Sequence, residues 1–358
     1  MTKVSDPITI NRIVLKNRLT MAPTVKFDYA GPDGMVTDRH IRHYRDRAMH
    51  GCGLICVEAT AITPDGRFAK NHLGLWSDEQ ISGHRDITAS CHGYGAAVII
   101  QLNHTGIMSN PDCGPAIGPS AVPARNPETI AREMSISDIH EMQENFVQAA
   151  MRAKEAGYDG LQLHGCHGYL INQFISNKTN LRTDEYGGSI ENKARFAAEI
   201  IRSIREKCGD GFLISIRTAG IEPDIKTAIQ IAEEYVKAGC DYLQVSTGIE
   251  WDDPDLVDTD APYNRFCSLG VRFHDHFCGH VPVSCVNGIL DPSQARYLIE
   301  NDLVDTVDLA RALLADPVFS EAVLKDLPFV KCYNCPSCQY APHMPHRCPA
   351  AIERGEIQ

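Results

Sequence analysis

Eight times along the chain a short apolar run is followed by a longer amphipathic one, and this alternation restricts the fold more than any other feature. The apolar runs at 18–23, 53–62, 96–104, 160–164, 212–217, 242–246, 281–287 and 306–310 have the length and bounding turn residues of buried strands. Stretches with helical spacing follow at 38–50, 78–92, 135–157, 189–208, 224–239, 269–277, 291–301 and 316–325. SDEQ opens the second of these, SISD the third, and Ser189 can cap the fourth with Asn192 three residues on. Strands separated by helices pair in parallel. A doubly wound open sheet would usually carry a GxGxxG turn after its first strand, and here that strand ends APTVKF. Eight units match a closed (β/α)8 TIM barrel, and the long loops at 105–134, 165–188 and 247–268 absorb the extra length. With no linker or low-complexity segment, one α/β barrel domain is expected over 1–325. Residues 326–358 then form a Cys-rich tail packed on it, not an independent domain.

Charge narrows the partners. The 358 residues carry a net charge of −12 without a Lys/Arg cluster, which argues against nucleic acid and anionic membranes. No run of about 18 apolar residues exists, and the start, MTKVSDPITINR, lacks an apolar signal core. Of fourteen cysteines, ten are scattered singly, as reduced thiols in a cytoplasmic protein would be.

In a barrel of this kind chemistry stands at the C-terminal ends of the strands. Taken in order, those ends supply Pro23, Thr24, Val25 and Lys26; Glu58, Ala59 and Thr60; Gln101, Asn103 and His104; His164, His167 and, beyond them, Tyr169; Arg217; Ser246 and Thr247; Asn287 and Gly288; Ala310 and Arg311. No serine or cysteine with an adjacent base is among them, and no set of carboxylates for a divalent metal. Hydrogen-bond donors with one fixed cation suit an anionic cofactor and a carbonyl-bearing substrate. Asn287-Gly288 supplies a turn whose N–H groups can approach a phosphate, and Arg311 a charged fork. Glu58 reads as structural, Asn103 and His104 as loop support, and His40, His43 and His50 as surface or packing residues of a helix.

The stretch HGCHGYLINQFISNKTNLRTDEYGGSIENKARF, with LKNRLTMAP, GLICVEATAITPDGR, GLWSDEQI and IIQLNHTG, resembles the Old Yellow Enzyme family of flavin-dependent ene-reductases. The resemblance runs from Ile10 to about Phe319. ARALLADP is similar to the subgroup related to 2,4-dienoyl-CoA reductase, whose barrel binds FMN and an iron–sulfur cluster. It implies FMN at the barrel mouth. Gln101 and the backbone of Ala59 would meet its pyrimidine ring, and Arg217 would lie near N1 and O2, where a cation stabilises reduced flavin. Asn287, Gly288, Ala310 and Arg311 would grip the phosphate, with Pro23, Thr24, Val25 and His164 completing the cofactor set. His164 and His167 match the pair that holds a substrate carbonyl oxygen, or the carboxamide of NAD(P)H. Tyr169 matches the proton donor, and Lys26 and Phe27 would face the substrate. The implied activity is NAD(P)H-dependent reduction of the activated C=C bond of an α,β-unsaturated carbonyl compound. Oxidative N-demethylation of a methylamine-type substrate is one alternative. A non-catalytic flavin/iron–sulfur relay subunit is the other. The expected partners are a small-molecule substrate, a further copy of the chain in a homo-oligomer, and an external electron-transfer protein.

Three positions depart from the family pattern. Val25 stands where relatives often carry Cys or Thr bonded to flavin O4; it cannot donate that bond, so a lower flavin potential is expected. Lys26 places a cation at the mouth, either to recognise an anionic substrate or as a solvated loop lysine. In the tail, Cys332, Cys335, Cys338 and Cys348 are spaced Cx2Cx2Cx9C, closer than in the dienoyl-CoA reductase subgroup. A [4Fe–4S] cluster, a zinc site that could also use His343 or His346, and an empty remnant are all compatible with it. The chain is expected to act without the flavodoxin-like and NAD-binding domains that follow in that subgroup.

Overall fold

The computed structural model describes the chain apart from Met1, Trp251, Asp252, Pro254, Asp255 and residues 257–259, 341–346 and 356–358. Eight parallel strands close into a barrel: β1 (Leu19–Met21), β2 (Leu54–Ala61), β3 (Ala97–Asn103), β4 (Gly160–Gly165), β5 (Leu213–Ala219), β6 (Tyr242–Ser246), β7 (Val283–Cys285) and β8 (Thr306–Leu309). Each pairs with the next in sequence, and β8 returns to β1 through Leu309 opposite Met21. All are buried, which is why they read as unbroken apolar runs rather than alternating ones. Helices lie outside, including Asp38–Met49, Ile81–His92, Ile136–Glu155, Ile190–Cys208, Ile225–Lys237, Cys267–Phe277 and Pro292–Glu300. The expected caps form: Ser135 Oγ accepts from Asp138 N at 3.2 Å while the Asp138 carboxylate accepts from Ser135 N, and Ser189 Oγ accepts from Asn192 N at 3.2 Å.

Three local differences from the sequence reading have physical causes. The seventh strand is shorter than 281–287, because the chain turns at Asn287, whose φ is +95°. The last helical stretch, expected over 316–325, starts at Phe319, and a further short helix, Arg311–Ala315, precedes it. Between them Pro317 forces Asp316 into an extended conformation, φ −148° and ψ 120°. The loop expected at 165–188 contains the short buried helix Leu170–Ile175.

An antiparallel hairpin, Ile8–Ile10 with Ile13–Leu15, precedes β1. It was not legible in the strand pattern, since each arm has three residues. Ile10 and Leu15 pack on Leu54, Cys56, Ala97, Ile99, Leu213 and Tyr242 as a separate apolar cluster at the N-terminal ends of the strands.

The tail lies against the barrel at several points. Val330 N donates to Asp316 Oδ2 at 2.8 Å, Lys331 pairs with Asp291 at 3.0 Å, and Arg354 pairs with Asp316 at 3.7 Å. The helix Pro349–Glu353 packs on Arg311–Ala315.

Candidate active site

The C-terminal ends of the strands surround a cavity of about 390 Å3. Pro23, Thr24, Val25, Phe27, His167, Tyr169, Arg217, Asn287, Gly288, Ala310 and Arg311, drawn from five strand ends separated by up to 288 residues of sequence, line it together. Residues that the strand-end reading did not single out also line it: Phe68, Asp308 and, from the tail, Tyr340.

At one end of the cavity, two consecutive residues have positive φ: Asn287 (+95°) and Gly288 (+69°). A Cβ on Gly288 would lie 2.2 Å from the Asn264 side-chain nitrogen, so the turn requires glycine. Arg311 stands beside it. Its Nη1 donates to Asn334 Oδ1 at 2.6 Å. This gives a backbone turn and a guanidinium at one place, the elements of a phosphate site.

Deeper in, Arg217 is nearly buried on β5. Its Nη2 donates to Ser246 Oγ at 3.3 Å, and its Nε has no hydrogen-bond partner. Ser246 also meets His167 Nε2 at 2.8 Å. His167, in a left-handed conformation with φ +61°, turns its Nδ1 to His164 Nε2 at 3.1 Å. The histidine pair is therefore a chain, His164–His167–Ser246–Arg217, in which His167 reaches the cavity and His164 stands behind it with its Nδ1 unpartnered. Burial first, and the neighbouring His167 and Arg217 next, hold His164 well below the usual imidazole pKa. Desolvation, then Arg217, lowers His167 as well. Both rings are thus neutral hydrogen-bonding groups at neutral pH. Tyr169 caps the short helix Leu170–Ile175 and packs its ring edge-on to His164 at 4.8 Å. Burial raises its phenol pKa, so it holds its proton.

Gln101 and Ala59 lie behind the wall. Gln101 Nε2 donates to Gln162 Oε1 at 2.7 Å. The ladder between β2 and β3 steps from Val57–Ile100 to Thr60–Leu102, a bulge that lifts Glu58 and Ala59 out of the regular pairing. The Ala59 carbonyl then meets His72 Nε2 at 2.6 Å. Asn103 is buried with both side-chain polar atoms unpartnered, while His104 Nδ1 accepts from Gly106 N at 3.0 Å and so supports the loop.

Lys26 is not the cation presented at the mouth that the sequence suggested. It is 2 % exposed, and its ammonium lies 5.0 Å from the Tyr29 ring centre and 4.4 Å from that of Tyr340. Its backbone N–H donates to Glu58 Oε2 at 2.5 Å. Its backbone bond to Glu58 and its contacts with the Tyr29 and Tyr340 rings place its side chain against the tail, and it is not among the residues lining the cavity. Glu58 also accepts from Tyr44 Oη at 3.1 Å and faces His40 at 3.5 Å; burial pushes its carboxyl up to about 7. His40 and His43 are buried packing residues, and His50 pairs with Glu321 at 3.0 Å.

A second cavity of about 860 Å3 adjoins the first through His167 and Asn287. Ile107, Met108, Ile249 and Phe266 give it an apolar wall. His164, Cys166 and His167 could between them offer a metal three ligand atoms within 4.8 Å, but burial pushes the Cys166 thiol up to about 12, away from the thiolate a metal needs.

The four tail cysteines line one small cavity with Arg311, Leu314 and Tyr340. His343 and His346 lie outside the described residues.

Residues 3–329 match the NADH:flavin oxidoreductase / NADH oxidase family. The chain belongs to that family. It is 36% identical over 329 residues to an NADPH dehydrogenase of Geobacillus sp. (strain WCH70), a match covering 91% of this chain and 95% of that one. Among solved structures it is similar to an Old Yellow Enzyme homologue from Zymomonas mobilis (TM-score 0.79, 26% identity, 92% of this chain and 94% of that one). Morphinone reductase in complex with tetrahydroNAD is as similar, with TM-score 0.79, 26% identity and 92% of each chain covered. A 2-naphthoyl-CoA reductase in complex with 2-naphthoyl-CoA superposes with TM-score 0.86 at 25% identity over 94% of this chain; the chain spans about half, 54%, of that protein's length. This member of the Old Yellow Enzyme family is therefore an NAD(P)H-dependent flavin oxidoreductase with FMN as its cofactor. The cavity suits that cofactor on its own terms: an unpartnered guanidinium nitrogen on Arg217 would be available to the polar edge of a ring, and a glycine turn with an arginine would be available to a phosphate. Among the described residues no helix is long and apolar enough to cross a membrane.

Proposed function

We propose that the chain reduces the activated C=C bond of an α,β-unsaturated carbonyl compound. The observation that carries this reading is the placement of Tyr169, which holds its proton, beside the neutral His164–His167 pair on the wall of the cavity that Arg217 faces. The bound flavin supplies a hydride that NAD(P)H replaces. The remaining work falls to side chains. Arg217 would set a positive charge against the pyrimidine edge, Pro23, Thr24 and Val25 would back the ring, and Gln101 and Ala59, bonded to Gln162 and His72, would support that edge from behind the wall. Asn287, Gly288, Ala310 and Arg311 hold the phosphate. His167 would exchange its bond to Ser246 for an N–H to the substrate's carbonyl oxygen, held by His164 on its other nitrogen, and so stabilise the negative charge that grows there. Tyr169 delivers the proton to the α-carbon. Phe27 and the apolar chamber beyond His167 favour an extended, largely apolar substrate. Two of the similar solved structures are named for carbonyl compounds, morphinone and 2-naphthoyl-CoA, which supports the reading.

The tail's four thiols, Cys332, Cys335, Cys338 and Cys348, are proposed to hold a [4Fe–4S] cluster fed by an external electron-transfer protein. Their shared cavity supports a common centre. Four thiolates on one zinc would stand roughly 3.8 Å apart, given a Zn–S bond of about 2.3 Å in a tetrahedron. A [4Fe–4S] cluster takes one thiolate on each iron, and four cysteines lining one cavity match that count. The thiols in the chain are all free, which supports a reducing, cytoplasmic setting.

One anaerobic experiment tests the activity. The yellow protein bleaches with NADPH or NADH and regains colour with an enone. Bleaching by a methylamine instead would replace this reading with oxidative N-demethylation, and bleaching by neither would leave a relay subunit. Iron and sulfide analysis of anaerobically purified protein tests the cluster.

A further inference from the structure

The tail does more than carry thiols. It touches the cofactor cavity at two separate places. Asn334 bonds Arg311 at 2.6 Å, and among the described residues no carboxylate pairs with that arginine. Tyr340 stands in the cavity wall, 5.7 Å from the Phe27 ring and 4.4 Å from the Lys26 ammonium, which is held from its other side by Tyr29 at 5.0 Å. The small cavity of the four thiols has Arg311 and Tyr340 in its own lining. Two side chains are thus common walls of the flavin cavity and the thiol cavity.

The sequence makes this arrangement a link. Asn334 lies two residues after Cys332 and one before Cys335, and Tyr340 two residues after Cys338. Asn334 adopts the left-handed conformation, φ +48°, which asparagine tolerates better than most residues. A centre that binds Cys332, Cys335 and Cys338 fixes the chain on both sides of Asn334 and just before Tyr340. An arginine has several rotatable bonds, and immobilising it in advance removes an ordering cost from the ligand that uses it.

We propose that Asn334 and Tyr340 are positioning residues of the flavin site, through which the state of the four-thiol pocket sets how tightly FMN is held. Asn334 aims Arg311 at the phosphate; Tyr340 closes the cavity beside Phe27, with Lys26 as the clamp beneath it. This rests on the placement of the flavin phosphate at Asn287, Gly288 and Arg311. By linkage, FMN tightens the tail's hold on its metal by the same factor.

The test is a pair of fluorescence titrations of flavin-free protein, one with FMN and one with riboflavin, which lacks the phosphate. Asn334→Ala is expected to raise the FMN dissociation constant about tenfold while leaving riboflavin within twofold, because its effect passes through Arg311. A residue with only a structural role would weaken both flavins alike. Tyr340→Ala is expected to weaken both flavins several-fold, and Tyr340→Phe to restore both. The double variant Cys335→Ser/Cys338→Ser should reproduce the FMN-specific loss, and adding Asn334→Ala to it should cost nothing more. Thermal melts check that each variant is folded. Arg311→Ala is the control: if it spares the preference for FMN over riboflavin, the flavin placement is wrong and the proposal goes with it. If Arg311→Ala shows the loss and Asn334→Ala does not, the placement stands and the proposal is overturned. Cysteine variants that lose iron yet keep full FMN affinity overturn the link and leave the metal reading intact. Wild-type protein with neither iron nor zinc sinks the metal reading alone, since the Asn334 and Tyr340 titrations still decide the tail's part.

Discussion

At the floor of the barrel, Ile10 and Leu15 of the first hairpin press onto Leu54, Ile99 and Leu213 with no solvent exposure, and neighbouring polar groups are matched: Arg205 pairs with Asp241 at 2.6 Å, and the Asp241 carboxylate also accepts from Ile214 N at 2.8 Å. At the mouth the same strands end in Asn103, His164, Arg217 and Thr218, each with a buried polar atom lacking a partner. Non-glycine residues with positive φ, His167 and Asn287, also stand there. Leaving a buried donor or acceptor unmatched costs about 1–3 kcal/mol. The floor, where Arg18 Nε is also unmatched, is held chiefly by apolar packing, whereas the open groups at the mouth line or back the cavity and are unfilled binding capacity.

Five substitutions, one of them followed across pH, would break or sharpen that contrast. The largest effect belongs to Tyr169→Phe. Loss of a general acid is expected to slow recolouring by an enone roughly 10²–10⁴-fold, while bleaching by NADPH, which needs no such proton, stays near the wild-type rate. Stopped-flow absorbance on the two half-reactions separates them, and equal slowing of both would move Tyr169 out of its role. His167→Ala should lower kcat/KM for the enone by about 10²–10³, the usual loss for one oxyanion donor; a change under fivefold would put the carbonyl elsewhere. Leu15→Ala is the counterpart at the floor. It should destabilise the fold by about 2–5 kcal/mol in denaturant titration, with turnover per folded molecule held within twofold. A floor variant that altered kcat without lowering stability would erase the distinction between the ends.

Asp308 tests the region between. It is buried on β8, accepts from Ser284 Oγ and Gln244 Nε2 at 2.8 Å each and from Thr20 Oγ1, and burial pushes its carboxyl up to about 6. An acid that holds its proton more tightly folded than unfolded stabilises the fold in acid. That contribution is full below about pH 4, the unfolded value, and is lost as pH climbs to about 6. Asp308→Asn should therefore gain on the wild type by roughly 2–3 kcal/mol over that window. Denaturant midpoints at pH 4, 5, 6 and 7 check it, and a constant offset would place the raised pKa on another group. The smallest effect is at Val25. Val25→Cys restores a donor to the flavin's O4 side, and one hydrogen bond of about 1 kcal/mol corresponds to roughly 20 mV for a two-electron couple. A redox titration that fails to rise in this variant removes Val25 from control of the potential.

The strand order and most of the mouth were legible because each β-unit announces itself locally. A buried parallel strand is an apolar run, and the residue after it is at the mouth by construction, so Val25, His167, Tyr169, Arg217, Asn287 and Arg311 could be placed from sequence spacing and the family resemblance. Side-chain direction was not legible. Nothing local tells that a bulge at Glu58 and Ala59 accompanies a Lys26 that turns under the tail, or that His164 points at His167 rather than at the cavity. Tyr340 was missed for a related reason. The segment from 326 to 348 has no period to read, and its meeting with Phe27 spans more than 300 residues. Asp308 looked like an ordinary strand residue, and only the closure of β8 onto β1 brings Thr20 to it.

The hairpin that stoppers the floor has a consequence for traffic. With the strands sealed below by Ile10 and Leu15, the two adjoining chambers at the mouth share His167 and Asn287, so a molecule seated against either residue closes that wall to a second.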